Sequence, residues 1–168
     1  MLFRSFVNRV AKEIRKTHPG KTIGTGGYHD YAYPPEFKLE DNIRVVLCLH
    51  ARHVYSPETV RNDKAILDAW TESQPDVKKN VWLYFCFPAL YGSQQEVRVF
   101  PGFFASRIDG IYREFIAANV HGTFMEPSYG KHSRAIFLMD QLEGYVYWRL
   151  AWNKDLKGET LINEFFRN

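Results

Sequence analysis

The sequence predicts an α/β fold of parallel βα units, and three observations carry that reading. Segments with apolar residues at helical spacing alternate with short apolar runs along the chain. The run from Ile43 to His50 is largely apolar on both alternating sets, which suits a parallel strand buried on both faces. Polar and aromatic residues cluster after each run, and parallel α/β sheets bind ligands at the carboxyl ends of their strands.

The elements follow in order. Leu2, Phe3, Phe6, Val7, Val10 and Ile14 recur at helical spacing, so residues 2–17 read as a helix, ended by His18-Pro19-Gly20. Residues 21–28 read as a strand of small residues, followed by the loop Tyr31-Ala32-Tyr33-Pro34-Pro35. In the second strand, Val45, Leu47 and Leu49 suit packing against helices, while Val46, Cys48 and His50 face the other way. Ile66, Leu67 and Trp70 share one side of a helix near 63–70. The third strand is Val81 to Phe87, stopped by Pro88, with Trp82, Tyr84 and Cys86 on the inward side. Gly24 and Gly26 share the parity of Tyr28, which puts small residues on the inward face.

Phe104, Ile108, Ile111, Tyr112, Phe115 and Ile116 mark a helix over 102–118. Asn119-Val120-His121-Gly122 turns into a short fourth strand, Thr123–Glu126, and helices near 138–152 and 158–167 close the chain. The stripe Leu138, Leu142, Tyr145, Val146, Trp148 and Trp152 is too large to face solvent, so the first of these helices is expected to pack on something. Four parallel strands with outer helices would form roughly half of a (β/α)8 barrel. The two outer strands would be exposed edges unless something pairs with them.

Composition narrows the class. A chain of 168 residues is one domain's worth, read here as a single domain spanning 1–168. The net charge is 22 − 19 = +3, too mild for a clustered basic face, so no nucleic-acid partner is expected. No apolar run is long enough to cross a bilayer, and no membrane partner is expected. The start lacks the layout of a secretory signal, which leaves localisation open. Cys48 and Cys86 read as buried thiols rather than a disulfide scaffold. The 13 Phe, 10 Tyr and 4 Trp supply buried area, and Tyr and Trp also line ligand sites.

The candidate site is the set of clusters after the strands. Glu126 ends an apolar strand before Pro127, where partial desolvation would raise its pKa and suit a general acid. The plainer alternative is a capping or salt-bridging Glu. Asp30, between His29 and Tyr31, is either a second carboxylate or a turn residue that bonds its own backbone. Tyr28, His29, His50, Arg52, His53 and Tyr84 are candidates for binding hydroxyls, and Arg52 is either a carboxylate clamp or a surface arginine. Tyr31, Tyr33 and Tyr129 lie in loops and are better stacking candidates than Trp82, Trp148 and Trp152, which read as core. His29, His50 and His53 could hold zinc only if the strand ends at His50, so no metal and no cofactor is assigned. Cys86 in an apolar strand reads as inert, and no phosphate-cradling glycine loop is present.

The run FVNRVAKEIRKTHPGKTIGTGGYHDYAYPP, then NIRVVLCLHARHVYS, VWLYFCFP, GTFMEPSY and LAWNKDLKGETLINEFF resemble, in order, the domain of unknown function 4838 family. The resemblance implies a divergent glycoside-hydrolase-like TIM barrel, similar to the α-glucuronidase barrels, in bacteria that often degrade glycans. Family members usually carry further barrel strands upstream and commonly continue past the final helix. The chain therefore resembles the C-terminal half of such a barrel, expected to pair with an N-terminal half-barrel of the same parent chain. A secreted or periplasmic parent fits the resemblance. The resulting expectation is a carbohydrate-active domain with a saccharide ligand, hydrolysing glycosidic bonds through Glu126 and Asp30 or an acid in the other half. The alternatives are a glycan-binding module without catalysis and, more weakly, a metal-dependent hydrolase.

Overall fold

The structure is a computed structural model that describes residues 2–49, 56–84, 103–125 and 141–167. Helix α1 (Leu2–Thr17) leads into β1 (Ile23–Gly27), a 3-10 turn (His29–Tyr31) and β2 (Ile43–Leu49). Then come α2 (Pro57–Ser73), β3 (Lys78–Leu83), α3 (Ala105–Ala117), β4 (Val120–Met125), α4 (Gln141–Trp152) and α5 (Gly158–Phe165). The four strands form one parallel sheet in the order β1-β2-β3-β4. Among them the strand order never reverses, unlike a doubly wound sheet with its switch point.

Strand alternation gives this sheet two different faces. On β2 the residues Ile43, Val45, Leu47 and Leu49 are buried, while Arg44, Val46 and Cys48 are only partly covered. Strand β3 repeats the pattern with Lys79, Val81 and Leu83 buried against Asn80 and Trp82. The helices pack on the buried face. Arg4 of α1 bonds Thr25 of β1, and the Tyr112 hydroxyl of α3 and Tyr147 hydroxyl of α4 both reach the Thr123 hydroxyl of β4. Trp70 of α2 meets Arg4 on the same side. Helix α5 joins through the Arg149–Glu164 ion pair and the Tyr145–Phe165 rings.

Several boundaries differ from those the sequence predicts. Strand β3 begins at Lys78 rather than Val81, because Lys78–Leu83 pairs in register with Arg44–Leu49. The run of Lys78, Lys79 and Asn80 hides this strand start, yet Lys79 is almost wholly buried. Strand β4 begins at Val120, since the turn is confined to Ala118 and Asn119, with Asn119 at φ 55°. A bulge opposite Lys79 and Asn80 absorbs the extra residue His121. Helix α2 starts at Pro57, where Ser56 caps it by accepting from the Thr59 backbone N–H.

The buried stripe of α1 is Arg4, Val7 and Ala11, and Phe3 and Phe6 lie exposed on its flank. On α4 the buried set is Glu143, Gly144, Val146, Tyr147 and Leu150. Trp148 and Trp152 are therefore not core: they are 51% and 94% exposed, off the 3–4 spacing that faces α3.

Glu143 and Lys79 are among the ionisable side chains buried with the apolar core. The Glu143 carboxylate accepts from the backbone N–H groups of Phe104 and Ala105, capping α3 from a neighbouring helix. Its loss leaves both donors unpaired. Glu143→Ala is expected to cost about 1–2 kcal/mol in denaturant unfolding, with Glu143→Gln much milder; equal costs would contradict the capping role. Burial pushes the Lys79 ammonium below its ordinary pKa. The unfolded chain then holds this proton more tightly, so this group's contribution to stability rises with pH between the folded and unfolded pKa values. Lys79→Met is expected to raise the melting temperature at pH 7, with the gain shrinking toward pH 10. A gain that does not vary with pH would contradict this.

Candidate functional site

The carboxyl end of β1 runs straight into the residues that the sequence marks. Tyr28 is still extended, at φ −144° and ψ 146°. His29 then takes φ 48°, a left-handed conformation that is uncommon for a residue with a Cβ. Tyr31 N–H donates to the Tyr28 carbonyl at 3.0 Å and Ala32 N–H to the His29 carbonyl at 3.0 Å, which closes the 3-10 turn. The reversal presents Tyr28, His29, Asp30 and Tyr31 together, all exposed. The Tyr28 and His29 rings lie 3.8 Å apart, and the Tyr31 ring packs on Phe3 at 4.9 Å. Among the described residues the Asp30 carboxylate has no hydrogen-bond partner, so it does not bond its own backbone as a turn residue often does.

Behind the turn lies a buried cation. Arg4 is 3% exposed. Its Nη1 donates to the Thr25 hydroxyl at 3.3 Å, and its Nη2 donates to the Gly26 carbonyl at 3.0 Å and the Tyr31 carbonyl at 2.7 Å. The guanidinium lies 5.1 Å from the Trp70 ring centroid, and the Trp70 indole N–H donates to the Ala32 carbonyl at 2.6 Å. Desolvation pushes the Arg4 pKa down from its ordinary value.

The other part of the site is the sheet face on which no described helix packs. The register sets residues on this face in rows across the strands. Gly26, Val46, Asn80 and Gly122 form one row. Cys48, Trp82 and Phe124 form the next toward the carboxyl end, and Tyr28 follows β1 at that level. Neither Gly24 nor Gly26 has any atom within 4 Å of where a Cβ would be, so the β1 side of the face is open. The Trp82 and Phe124 rings meet at 4.5 Å, tilted 56° to each other, with Phe124 45% exposed. Trp82 thus lies on this face, the inward side on which the strand alternation of the sequence places it.

Of the predicted site residues, Tyr28, His29, Asp30 and Tyr31 are brought together in one turn. Tyr84 follows β3 at the same edge, about 10 Å away across two strand spacings. Tyr33 is exposed in the loop beyond the turn. Glu126, His50, Arg52, His53, Tyr129 and Cys86 lie outside the described residues. Among the described residues no three His, Cys, Asp or Glu side chains group as metal ligands. A separate cleft of about 370 Å³ opens on the helix side, between α2 and α3, lined by Leu67, Ile111 and Phe115 among others. None of the predicted site residues among those described lines it.

A family model for a domain of unknown function, DUF4838, matches residues 2–168. The chain belongs to the DUF4838 family. Comparison with curated proteins and with solved structures found no match. For this DUF4838 chain, the residues that sequence reasoning missed are Arg4 and Phe124. Arg4 was legible in principle, because it stands at the 3–4 spacing of Val7, Ala11 and Ile14 and so falls on the buried stripe. Phe124 shares the row of Trp82 only once the bulge in β4 is known.

The Trp82–Phe124 contact gives a direct check on the open face. Phe124→Ala is expected to lower stability by about 1 kcal/mol and to alter the near-ultraviolet circular dichroism of Trp82. A spectrum and stability unchanged by the substitution would contradict the contact.

Proposed function

We propose that this chain is half of a (β/α)8 barrel from a carbohydrate-active, glycoside-hydrolase-like protein, and that it binds saccharide at the carboxyl edge of its sheet. The observation that supports this most is the turn after β1. It displays two tyrosines, a histidine and an aspartate to solvent, beside a sheet face that carries Trp82 and Phe124. Sugar rings present apolar C–H faces and hydroxyl edges, which exposed aromatic rings and mixed donors and acceptors match. Sequential strand order and helices on a single face support the barrel half. The missing strands would come from an N-terminal half of the same parent chain.

In this reading the carboxylates are Glu126, as acid or base, and Asp30 or an acid in the other half. Exposure of Asp30 favours the second reading for the half described here, a glycan-binding module without catalysis.

The test is binding of soluble oligosaccharides, uronate-containing ones included, followed by calorimetry on the best hit. Tyr31→Ala is expected to weaken affinity roughly fivefold, the equivalent of one aromatic contact of about 1 kcal/mol. Saccharide binding unaffected by Tyr28→Ala and Tyr31→Ala would reject this edge as the site. In the complete protein, Glu126→Gln is expected to abolish any glycoside hydrolysis; full activity would sink that assignment. A binder keeps its affinity and turns over nothing.

A further inference from the structure

We propose that Arg4 is the positioning residue of the Tyr28–Tyr31 turn, a staple across its neck that holds the ligand-facing side chains in place. The ligand role rests on the saccharide reading above; the staple itself does not. One nitrogen, Arg4 Nη2, donates to the carbonyl of Gly26 before the turn and to the carbonyl of Tyr31 after it. Everything between those two points is the excursion that carries Tyr28, His29 and Asp30.

Further features place this arrangement beyond ordinary helix packing. Among the described residues none of the Arg4 hydrogen-bond partners is a carboxylate: they are one hydroxyl and two main-chain carbonyls. Among the described residues, a cation taken out of water at 3% exposure is compensated by those dipoles and by the Trp70 ring face. Trp70 extends the staple by one residue, since its indole N–H holds the Ala32 carbonyl. Every one of these bonds ends between Thr25 and Ala32. The turn they enclose includes His29 at φ 48°, a conformation that persists when its surroundings over-determine it. The adjacent residue of α1, Phe3, packs its ring on Tyr31, so the same helix turn fixes that residue's backbone and its ring.

Arg4 Nη2 lies one bond farther from the backbone than a lysine Nζ would, and Nη1 holds the Thr25 hydroxyl at the same time, so an ammonium falls short of the two carbonyls and cannot keep all three partners. Arg4→Lys therefore keeps the charge and removes the staple. The experiment is amide hydrogen exchange on the full chain for the wild type, Arg4→Lys and Trp70→Phe, with oligosaccharide affinity measured on the same samples. In Arg4→Lys, exchange at Tyr31 and Ala32 is expected to speed up tenfold or more while the amides of β2 and β3 keep their protection. Trp70→Phe keeps a stacking ring and loses the bond to Ala32, so it is expected to show the same local effect more weakly. Affinity is expected to fall in Arg4→Lys at least as far as in Tyr31→Ala.

Unchanged exchange in the turn overturns the proposal. So does an Arg4→Lys variant that fails to fold or loses protection equally across β2 and β3, because Arg4 would then be a general core residue. If the wild type binds no saccharide, the functional reading falls, and the exchange pattern alone decides whether Arg4 positions the turn.

Discussion

Alternate residues of β2 and β3 set the architecture on which everything else depends. Val45, Leu47, Val81 and Leu83 have no exposed surface, and each such side chain contributes roughly 1.5–3 kcal/mol when removed from water. A slip of one residue in either strand would turn these groups to the opposite face, so the register is strongly fixed. The described helices cover this one face. The opposite face carries Val46, Cys48, Trp82 and Phe124, which is more apolar surface than a parallel sheet ordinarily leaves without a covering layer. That imbalance is the structural basis for reading the chain as part of a closed barrel.

The candidate site inherits its geometry from the same constraint. Because β1 pairs with β2 only as far as Gly27, the chain is free to leave the sheet at Tyr28, and the Arg4 fork catches it on the way back at Tyr31. Close packing marks the exit: a Cβ on Gly27 would lie 2.8 Å from Leu47 Cδ2, so the buried face of β2 presses directly on the last residue of β1. The turn is thus held from behind by a desolvated cation and an indole, while its own side chains remain in solvent. This is the division expected of a binding loop on a rigid support.

Much of the fold was legible because apolar periodicity is a direct image of burial. The four strands, their parallel order and the inward set Val46, Cys48 and Trp82 all follow from spacing. Where polarity and burial part company, the reading failed. Lys78 and Lys79 disguised the start of β3, Arg4 fell outside the apolar positions that mark α1, and Trp148 and Trp152 were assigned to a core they do not enter. The clusters after the strands were legible as a sequence pattern, and the fold gathers Tyr28, His29, Asp30 and Tyr31 into the one turn after β1. The left-handed φ of His29 was not readable, because nothing in the run Tyr28-His29-Asp30 demands it without the carbonyl contacts of Arg4.

One measurement addresses the one-sided sheet most directly. Cys48 stands in the row of the open face that holds Trp82 and Phe124. With Cys86 replaced by serine, Cys48 alone reports on access to that face. If the face is open, Cys48 in the folded chain reacts with a small thiol reagent much faster than global unfolding can expose it. Labelling that proceeds only at the unfolding rate would mean that the face is covered, and would contradict a sheet packed on one side.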